Sequence, residues 1–567
     1  MSADNWKFSD LKFPKPDLEV FRALYNDAIE RVELAPDGAE VLEIVFEIDE
    51  LSRKAMDLLT ATFIHHTMDT TDERYESDQR WVDENQPLFT KSMLGFAESV
   101  YNSPYKEYIE EKAGSMYFTK MDIKKKTFCE ENIPLRQRES ELAYEYQKLI
   151  ASCSVNIQGE PRTFMGLQGL FSHDDREVRK EAFRAFSGFL SQNEEKLESI
   201  WDELISVRTQ IAHNLGYDSY VPVAYMERGR LDYGIDDIAK FREQVLEEIV
   251  PLCSKLYEAQ AKRIGIDKVM AYDEEIVFSD GNAKPIGDKE YTFNQIIGMV
   301  REMSPETEEF IGFMLEHELI DYESRPGKAA REYTTMISSR KAPFIFAHFD
   351  GTPSSVQYLI EGLGHAFAAY RASRRQPFEE YYSSSADIME IHSMAMVQFA
   401  SKYMDRIFGE EAWKYRFANL QSLMTFIPFG VAVDEFQHIC YENPNLTPKE
   451  RTNEWHKLEQ KYMPWRTYDE DDDFMARGGY WYHKVHFFVY PLYYIEYSLA
   501  TVNAMELYKK YIKHPDTAWN QYLTLADVGG SKGCLEILKL ANLTPAYEDG
   551  AVKESISHVK DVLEELI

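Results

Sequence analysis

Cysteine is scarce in this chain, which has five in 567 residues and none in a Cys-x-x-Cys pair. Scattered thiols in odd number exclude a disulfide framework and a cysteine-rich zinc site, and they favour a reducing compartment. The first residues lack the basic-then-apolar order of a signal peptide. No apolar run reaches the ~18–20 residues that span a bilayer. We therefore expect a soluble, cytoplasmic protein.

Basic residues are also few relative to acidic ones. Lys and Arg number 63 against 97 Asp and Glu, a net charge of −34 spread along the chain. Such a field repels phosphate backbones and anionic lipid surfaces. We expect no nucleic-acid partner and no membrane partner, and the sequence does not indicate an oligomeric state.

Helix breakers are also few, with 22 Pro and 27 Gly, and there is neither a short repeat nor a Gly/Ser-rich linker. Apolar residues recur instead at three- and four-residue spacing, which is typical of amphipathic helices. This periodicity covers residues 17–32, 38–66, 85–113, 138–152, 174–196 and 196–215. A mostly α fold is predicted.

Two short β-rich segments interrupt this pattern, residues 332–337 and 342–347, joined by the polar residues 338–341. They predict a small antiparallel sheet near residues 332–350. A helix is predicted to follow from about Ser355, and another from about Ser384. A small sheet beside a long helix is common near metallopeptidase active sites.

Three side chains on these two helices form a candidate metal site. Glu361 and His365 share one helix face because they lie four residues apart. Glu390 follows 25 positions after His365, far enough for the second helix to pack back. An oxygen, nitrogen and oxygen set suits zinc, and also manganese or iron. Spacing alone leaves open that His365 is a structural histidine.

Four segments carry a resemblance to one enzyme family: Lys341-Ala-Pro-Phe-Ile-Phe-Ala-His-Phe-Asp-Gly-Thr352, Glu361-Gly-Leu-Gly-His365, Glu390-Ile-His-Ser-Met-Ala-Met396 and His486-Phe-Phe-Val-Tyr-Pro-Leu-Tyr-Tyr-Ile-Glu-Tyr497. In this order they resemble oligoendopeptidase F-type members of the thimet oligopeptidase metallopeptidase family. The resemblance covers roughly residues 40–545.

The resemblance implies a two-lobed helical clamshell whose catalytic region is zincin-like, with the small sheet beside the active-site helix. We expect an N-terminal helical lobe over residues 1–200 and a catalytic lobe over 201–567. It also implies metal-dependent cleavage of short peptides inside an enclosed channel.

The family's HExxH motif is degenerate here. Carried over, its first zinc histidine falls on Glu361 and its catalytic glutamate on Gly362, whereas the second histidine is His365 and the later ligand is Glu390. Glycine cannot accept a proton, and positioned proton transfer contributes ~10²–10⁴ in rate. We therefore expect peptidase activity to be reduced or lost.

Other positions are assigned by the same resemblance. The region that stabilises the oxyanion and binds substrate falls on His486, Tyr490, Tyr494 and Tyr497. Near the site the chain departs from the family at Arg331, Glu332 and His348, where two glycines and an asparagine are usual. These three residues and His392 are candidate substrate-binding residues.

Three hypotheses stay open. The chain is a weakly active oligopeptidase, a non-catalytic peptide-binding pseudoenzyme, or a metal enzyme whose Glu361, His365 and Glu390 site performs other chemistry. The cofactor is one divalent metal, with zinc first and manganese or iron as alternatives, or no metal at all.

Overall fold

A computed structural model describes residues 6–12, 15, 17–329 and 331–567. The described residues form 25 α-helices, most of them joined by short turns or 3-10 segments. Their bounds are α1 Leu18–Leu34, α2 Gly38–Met68, α3 Glu73–Tyr101, α4 Lys106–Ala113, α5 Ser115–Thr127, α6 Ile133–Ala151, α7 Phe164–Gly169, α8 Arg176–Gln192, α9 Glu194–Asn214, α10 Tyr220–Glu227, α11 Ile235–Gln244, α12 Val250–Ile264, α13 Lys289–Met303, α14 Pro305–Glu316, α15 Pro353–Arg375, α16 Ala386–Ala400, α17 Asp405–Phe408, α18 Ala412–Glu442, α19 Pro448–Tyr462, α20 Asp473–Ala476, α21 Val485–Val489, α22 Ile495–Lys513, α23 Pro515–Val528, α24 Cys534–Leu540 and α25 Ala551–Glu564. The predicted mostly α fold is confirmed.

Side-chain caps explain where several helices begin. Asp17 accepts hydrogen bonds from two backbone N–H groups at the start of α1, and Asp37 does the same for α2. The periodic segment 85–113 is divided between two helices. α3 ends at Tyr101, and the chain turns through Ser103 and Pro104 before α4 begins. Proline disfavours helical conformation in the residue before it, which accounts for the break.

The small sheet has three strands in the order β1–β3–β2, where β1 is Ile320–Glu323, β2 is Tyr333–Ile337 and β3 is Ala342–Phe349. The predicted antiparallel pair is confirmed, with Tyr333 opposite Phe346 and Ile337 opposite Ala342. Strand β1 was not predicted, and it pairs parallel to the central strand. It is short and carries two carboxylates, so its apolar signal is weak. A separate two-stranded hairpin, Val155–Ile157 with Glu160–Arg162, was also not predicted.

Contacts divide the chain into two compact units, each built from separate stretches of sequence. The first unit comprises residues 1–124, 285–409 and 510–542, and the second comprises 125–284, 410–509 and 543–567. The lobe boundary near residue 200 stays a prediction.

In the first unit, the N-terminal helices share an apolar core that includes Phe21, Tyr25, Ile44, Phe89 and Phe96. Helix α15 packs against the central strand β3, against α16 and against α23. The helix that carries the predicted metal ligands is thus held on several sides.

In the second unit, large aromatic side chains fill the interior. Trp201, Trp455 and Trp481 are fully buried, and the ring of Phe487 meets all three edge-on. Edge-to-face aromatic pairs add to the free energy of burial, by ~0.5–1.5 kcal/mol each. The segment around α21, which contains His486, is therefore anchored by its neighbour Phe487.

Among the described residues, no helix combines the length and apolarity needed to cross a membrane. Four of the five cysteines are buried, and Cys129 is partly exposed.

Candidate active site

The two helices that carry the predicted metal ligands approach each other closely at Gly364. A Cβ atom on Gly364 would lie 2.7 Å from the carbonyl oxygen of His392 and 2.9 Å from the Cα of Ser393, both on α16. Real Cβ atoms essentially never come so near backbone, so this crossing requires glycine. The close approach places the His365 Nε2 3.5 Å from the Glu390 Oε2.

His365 and Glu390 form an ion pair. Burial alone would lower the pKa of His365, but the charge of Glu390 and its hydrogen bond outweigh burial and raise it. The Ser393 hydroxyl also donates to the Glu390 carboxylate, at 3.2 Å. The structure therefore brings together two of the three predicted ligands.

Glu361 lies beside this pair. Burial raises the pKa of Glu361 to about 7, a rise that the hydrogen bond from Gln357 opposes and the charge of Glu390 reinforces. The Gln357 amide donates to the Glu361 Oε1 at 2.8 Å. At neutral pH this carboxyl therefore binds a proton more readily than an ordinary glutamate does.

The donor set matches a divalent metal only in part. Among the described residues, no group of three or more His, Cys, Asp or Glu side chains is arranged to hold a metal ion. The Glu361 carboxyl is hydrogen-bonded to Gln357, while His365 and Glu390 face each other. Metal binding by these three residues stays a prediction.

Gly362, at the predicted position of the general base, has room for a side chain. A Cβ atom there would lie 3.5 Å from the Ile345 Cγ2 and 3.7 Å from the Thr334 Oγ1, which are ordinary van der Waals distances. The Thr334 hydroxyl donates to the Gly362 carbonyl at 3.3 Å. Packing therefore does not explain glycine at position 362, in contrast to position 364.

The candidate substrate-binding residues beside β2 have contacts within the first unit. The Arg331 guanidinium lies 5.4 Å from the ring centroid of Phe63. Glu332 accepts a hydrogen bond from the His348 backbone N–H at 2.8 Å. Substrate binding by Arg331 and Glu332 stays a prediction.

Both ring nitrogens of His348 are engaged. The Nε2 donates to the Ala329 carbonyl at 2.7 Å, because a carbonyl oxygen only accepts. The Nδ1 forms a hydrogen bond with the Ser324 hydroxyl at 3.1 Å. These two hydrogen bonds fix His348 to the loop before β2, and its role toward substrate stays a prediction.

His392, the fourth candidate, is buried with 2% of its surface exposed. Burial lowers its pKa to about 3, so the imidazole is neutral. Its ring meets Tyr522 edge-on, and the Tyr522 hydroxyl donates to the His392 carbonyl at 3.0 Å. Substrate binding by His392 stays a prediction.

The predicted oxyanion and substrate-binding residues cluster in the second unit. The ring of His486 lies 4.6 Å from that of Tyr494, 5.7 Å from Tyr490 and 5.9 Å from Tyr497, measured between centroids. Tyr493, which the resemblance did not single out, is 6.1 Å away. The rings of the three predicted tyrosines thus all lie within 5.9 Å of the His486 ring.

His486 is a neutral imidazole in this cluster. Burial lowers the pKa of His486 well below its usual value, and the nearby positive charges of Lys484 and Arg228 lower it further. A neutral histidine can donate one hydrogen bond to a developing oxyanion without carrying charge itself. Its role toward substrate stays a prediction.

Two buried arginines, distant in sequence, hold the backbone of this segment. Arg208 donates to the carbonyls of Phe487 and Phe488, at 3.0 and 2.8 Å. Arg230 donates to the carbonyl of Leu492, whose φ of 56° lies in the left-handed region. Sequence reasoning missed both arginines, because no local pattern connects them to positions more than 250 residues away.

His483 gives a pH prediction for stability. Burial lowers its pKa to about 3, with the charge of Lys484 adding to the effect, while its Nδ1–H donates to the Tyr480 carbonyl. Below about pH 6.5 the unfolded chain takes up a proton that the folded state refuses. This residue should therefore cost up to about 2 kcal/mol of stability as the pH falls from 7 to 5.

Urea unfolding of the parent chain and of His483→Gln at pH 7 and pH 5 measures this effect. Glutamine does not titrate and retains a donor for Tyr480, so the variant should lose less stability on acidification. Equal losses in the two chains would contradict the prediction.

Comparison with known proteins assigns the family. The Peptidase family M3 model matches residues 170–555, and the Peptidase M3 N-terminal domain model matches residues 8–128. The chain belongs to peptidase family M3. No match was found among curated proteins.

Among solved structures, this chain is similar to several proteins described as oligoendopeptidase F or PZ peptidase A. The structure of PZ peptidase A with an inhibitor is 38% identical, with a TM-score of 0.92 and 99% of each chain covered. A Bacillus anthracis protein assigned provisionally as oligoendopeptidase F is 35% identical, with a TM-score of 0.88 over 99% of this chain and 98% of that one. Oligoendopeptidase F from Enterococcus faecium shares the fold at 15% identity, with a TM-score of 0.63 over 97% of each chain.

Proposed function

We propose that this M3 family member binds short peptides in an enclosed channel and that its peptidase activity is reduced or lost. One observation carries the second part. The helix that should supply a general base has Gly362 at that position, although a Cβ atom there meets only ordinary contacts. A glycine that packing does not require, at the base position of a peptidase, indicates relaxed selection for hydrolysis.

The peptide-binding part rests on the aromatic cluster of the second unit. Tyr490 has 40% of its surface exposed, although it belongs to the cluster around His486. Exposed tyrosines bind ligands well because they combine a large apolar face with a hydroxyl. His486 supplies a neutral ring as a hydrogen-bonding partner for a peptide carbonyl or N–H.

A second candidate is a metal enzyme with a rebuilt site. The observation that favours it is that His365 and Glu390 are 3.5 Å apart and that burial, reinforced by the charge of Glu390, raises the pKa of Glu361 to about 7. A bound divalent metal would supply a Lewis acid there, and a carboxyl with this pKa is suited to carry a proton at neutral pH. Metal analysis of protein purified without added metal distinguishes the two candidate functions. One metal ion per chain would favour the metal enzyme.

Binding and cleavage are measured separately to test the proposal. Fluorescence anisotropy with labelled peptides of about ten residues reports binding, and quenched fluorescent versions, with zinc, manganese or cobalt added, report cleavage. We expect saturable binding, with cleavage at or near background. Rapid turnover by the parent chain would contradict the loss of activity, and absent binding would contradict the peptide-binding function.

Tyr490→Ala tests where the peptide binds. Removal of this ring should weaken binding by about tenfold, in line with the loss of one aromatic contact of about 1–1.5 kcal/mol. Tyr144→Ala is the matched control, since Tyr144 is 65% exposed in the same unit and lies outside the cluster. Equal affinities for Tyr490→Ala and the parent would contradict the assignment.

A further inference from the structure

Two positively charged side chains beside His486 form no salt bridge within the second unit. In the second unit, all of whose residues are described, neither Lys484 nor Arg228 forms an ion pair, although 97 acidic residues make carboxylates abundant in this chain. Cations that are partly withdrawn from water are normally paired. Their lack of partners is therefore unusual in a strongly acidic protein.

Two carboxylates of this region, Glu227 and Glu496, already have ion-pair partners. Glu227 pairs with Arg136, and Glu496 pairs with Arg230 at 2.9 Å. Neither carboxylate forms an ion pair with Lys484 or Arg228, although Glu227 is close enough for the charge of Arg228 to oppose the rise that burial causes in its pKa. The excess of positive charge beside His486 is a property of the folded unit.

Aromatic rings hold the two cations in place. The Lys484 Nζ lies 4.4 Å from the ring centroid of Tyr494 and 5.6 Å from that of Phe429. The Arg228 guanidinium lies 5.2 Å from the ring centroid of Tyr493. A cation on a ring face keeps its charge and its outward hydrogen-bond donors, whereas a cation in a salt bridge has used them.

Both cations lie near His486. Both are close enough to His486 to lower its pKa, and Lys484, Arg228 and His486 are each partly exposed. Burial also lowers the pKa of Lys484 to about 8, with no acidic group opposing it. An anionic ligand would remove this penalty, because it supplies the missing counter-charge.

We propose that Lys484 and Arg228, beside His486, bind a carboxylate group of the peptide ligand. Ammonium and guanidinium groups donate charge-assisted hydrogen bonds to carboxylates, and the tyrosine rings favour the apolar chain next to the charge. The inference rests on the proposed peptide-binding function and gives it a specificity. The carboxylate comes either from the peptide C-terminus or from an Asp or Glu side chain.

Four labelled peptides with one core sequence distinguish these sources. They carry a free C-terminal acid or a C-terminal amide, each with Glu or Gln at one internal position, and their affinities are measured by fluorescence anisotropy. A charged terminus recognised by this site should bind at least about tenfold more tightly than the amide, as expected for one charge-assisted contact. If the site recognises a side-chain carboxylate instead, the peptides with internal Glu should bind at least about tenfold more tightly than those with internal Gln.

Variants connect this preference to the two cations. Lys484→Met and Arg228→Gln should each reduce the ratio of the affinity for the charged peptide to that for its uncharged counterpart. The double variant should abolish this preference. Lys484→Arg should retain it, which separates a charge effect from a folding defect. Lys553→Met is the matched control, because Lys553 is a 73% exposed lysine of the same unit.

The outcomes separate the inference from the function. Peptides that bind with equal affinity whatever their charge, or a ratio that survives in the double variant, would overturn the inference and leave peptide binding intact. If the parent chain binds none of the four peptides, the proposed function and the inference fail together.

Discussion

Changing Glu361 to His together with Gly362 to Glu is expected to raise the rate of peptide cleavage at least ~100-fold above that of the parent chain. The double variant restores the motif that the family uses, with a second histidine as ligand and a carboxylate as base. His365 and Glu390 are already 3.5 Å apart, so only the missing side chains are supplied. Initial rates with a quenched fluorescent peptide and added zinc measure the change.

The local packing accommodates this change. The first atom of a side chain at Gly362 would meet Ile345 and Thr334 at 3.5 and 3.7 Å, with no backbone closer. The matched control changes Glu361 to His with Gly362 to Gln, which keeps the shape and removes the base. We expect this control to bind zinc and to cleave ~10²–10⁴-fold more slowly than the Glu version.

One outcome would contradict the reasoning. If the Glu version binds zinc and stays as inert as the Gln version, loss of the base is not what limits activity. The altered residues Arg331 and Glu332, next to edge strand β2, would then be the next positions to change, since edge strands pair with extended peptides.

Gly364→Ala is expected to destabilise the chain by about 1–3 kcal/mol, whereas Gly362→Ala should stabilise it by about 0.5–1 kcal/mol. The two glycines are two residues apart on α15 and receive the same substitution. At position 364 the methyl group would press on the backbone of His392 and Ser393, at 2.7 and 2.9 Å. At position 362 it meets no close contact, so the higher helix propensity of alanine dominates.

Urea unfolding of both variants and the parent measures these free energies, and each variant acts as the control for the other. Because helix propensity favours alanine equally at both positions, the difference between the two variants isolates the cost of separating α15 from α16. Equal stabilities would contradict the requirement for glycine at the crossing.

Much of the first unit's site could be predicted from sequence. Helical spacing placed Glu361 and His365 on one face, and alternation with turn residues identified the antiparallel strands. The approach of Glu390 followed from the length of the connection and from the family resemblance. These features depend on local pattern, which a single sequence shows directly.

Other features depend on contacts that no local pattern records. The parallel strand β1 was missed because its four residues lack a long apolar run. The hydrogen bonds that occupy both nitrogens of His348 come from Ser324 and Ala329, in a loop with no motif. Lys484 and Arg228 are 256 positions apart, so their common position beside His486 is visible only in the folded chain.

The close crossing at Gly364 also bears on how this site can evolve. Substitutions at positions 361 and 362 change the side chains of the site without moving the backbone. They can therefore be reversed one at a time. A side chain at Gly364 would separate the two helices and with them His365 from Glu390. As long as this glycine persists, the proposed loss of hydrolysis is reversible by side-chain changes alone, whereas a larger residue at position 364 would also require the backbone to move back.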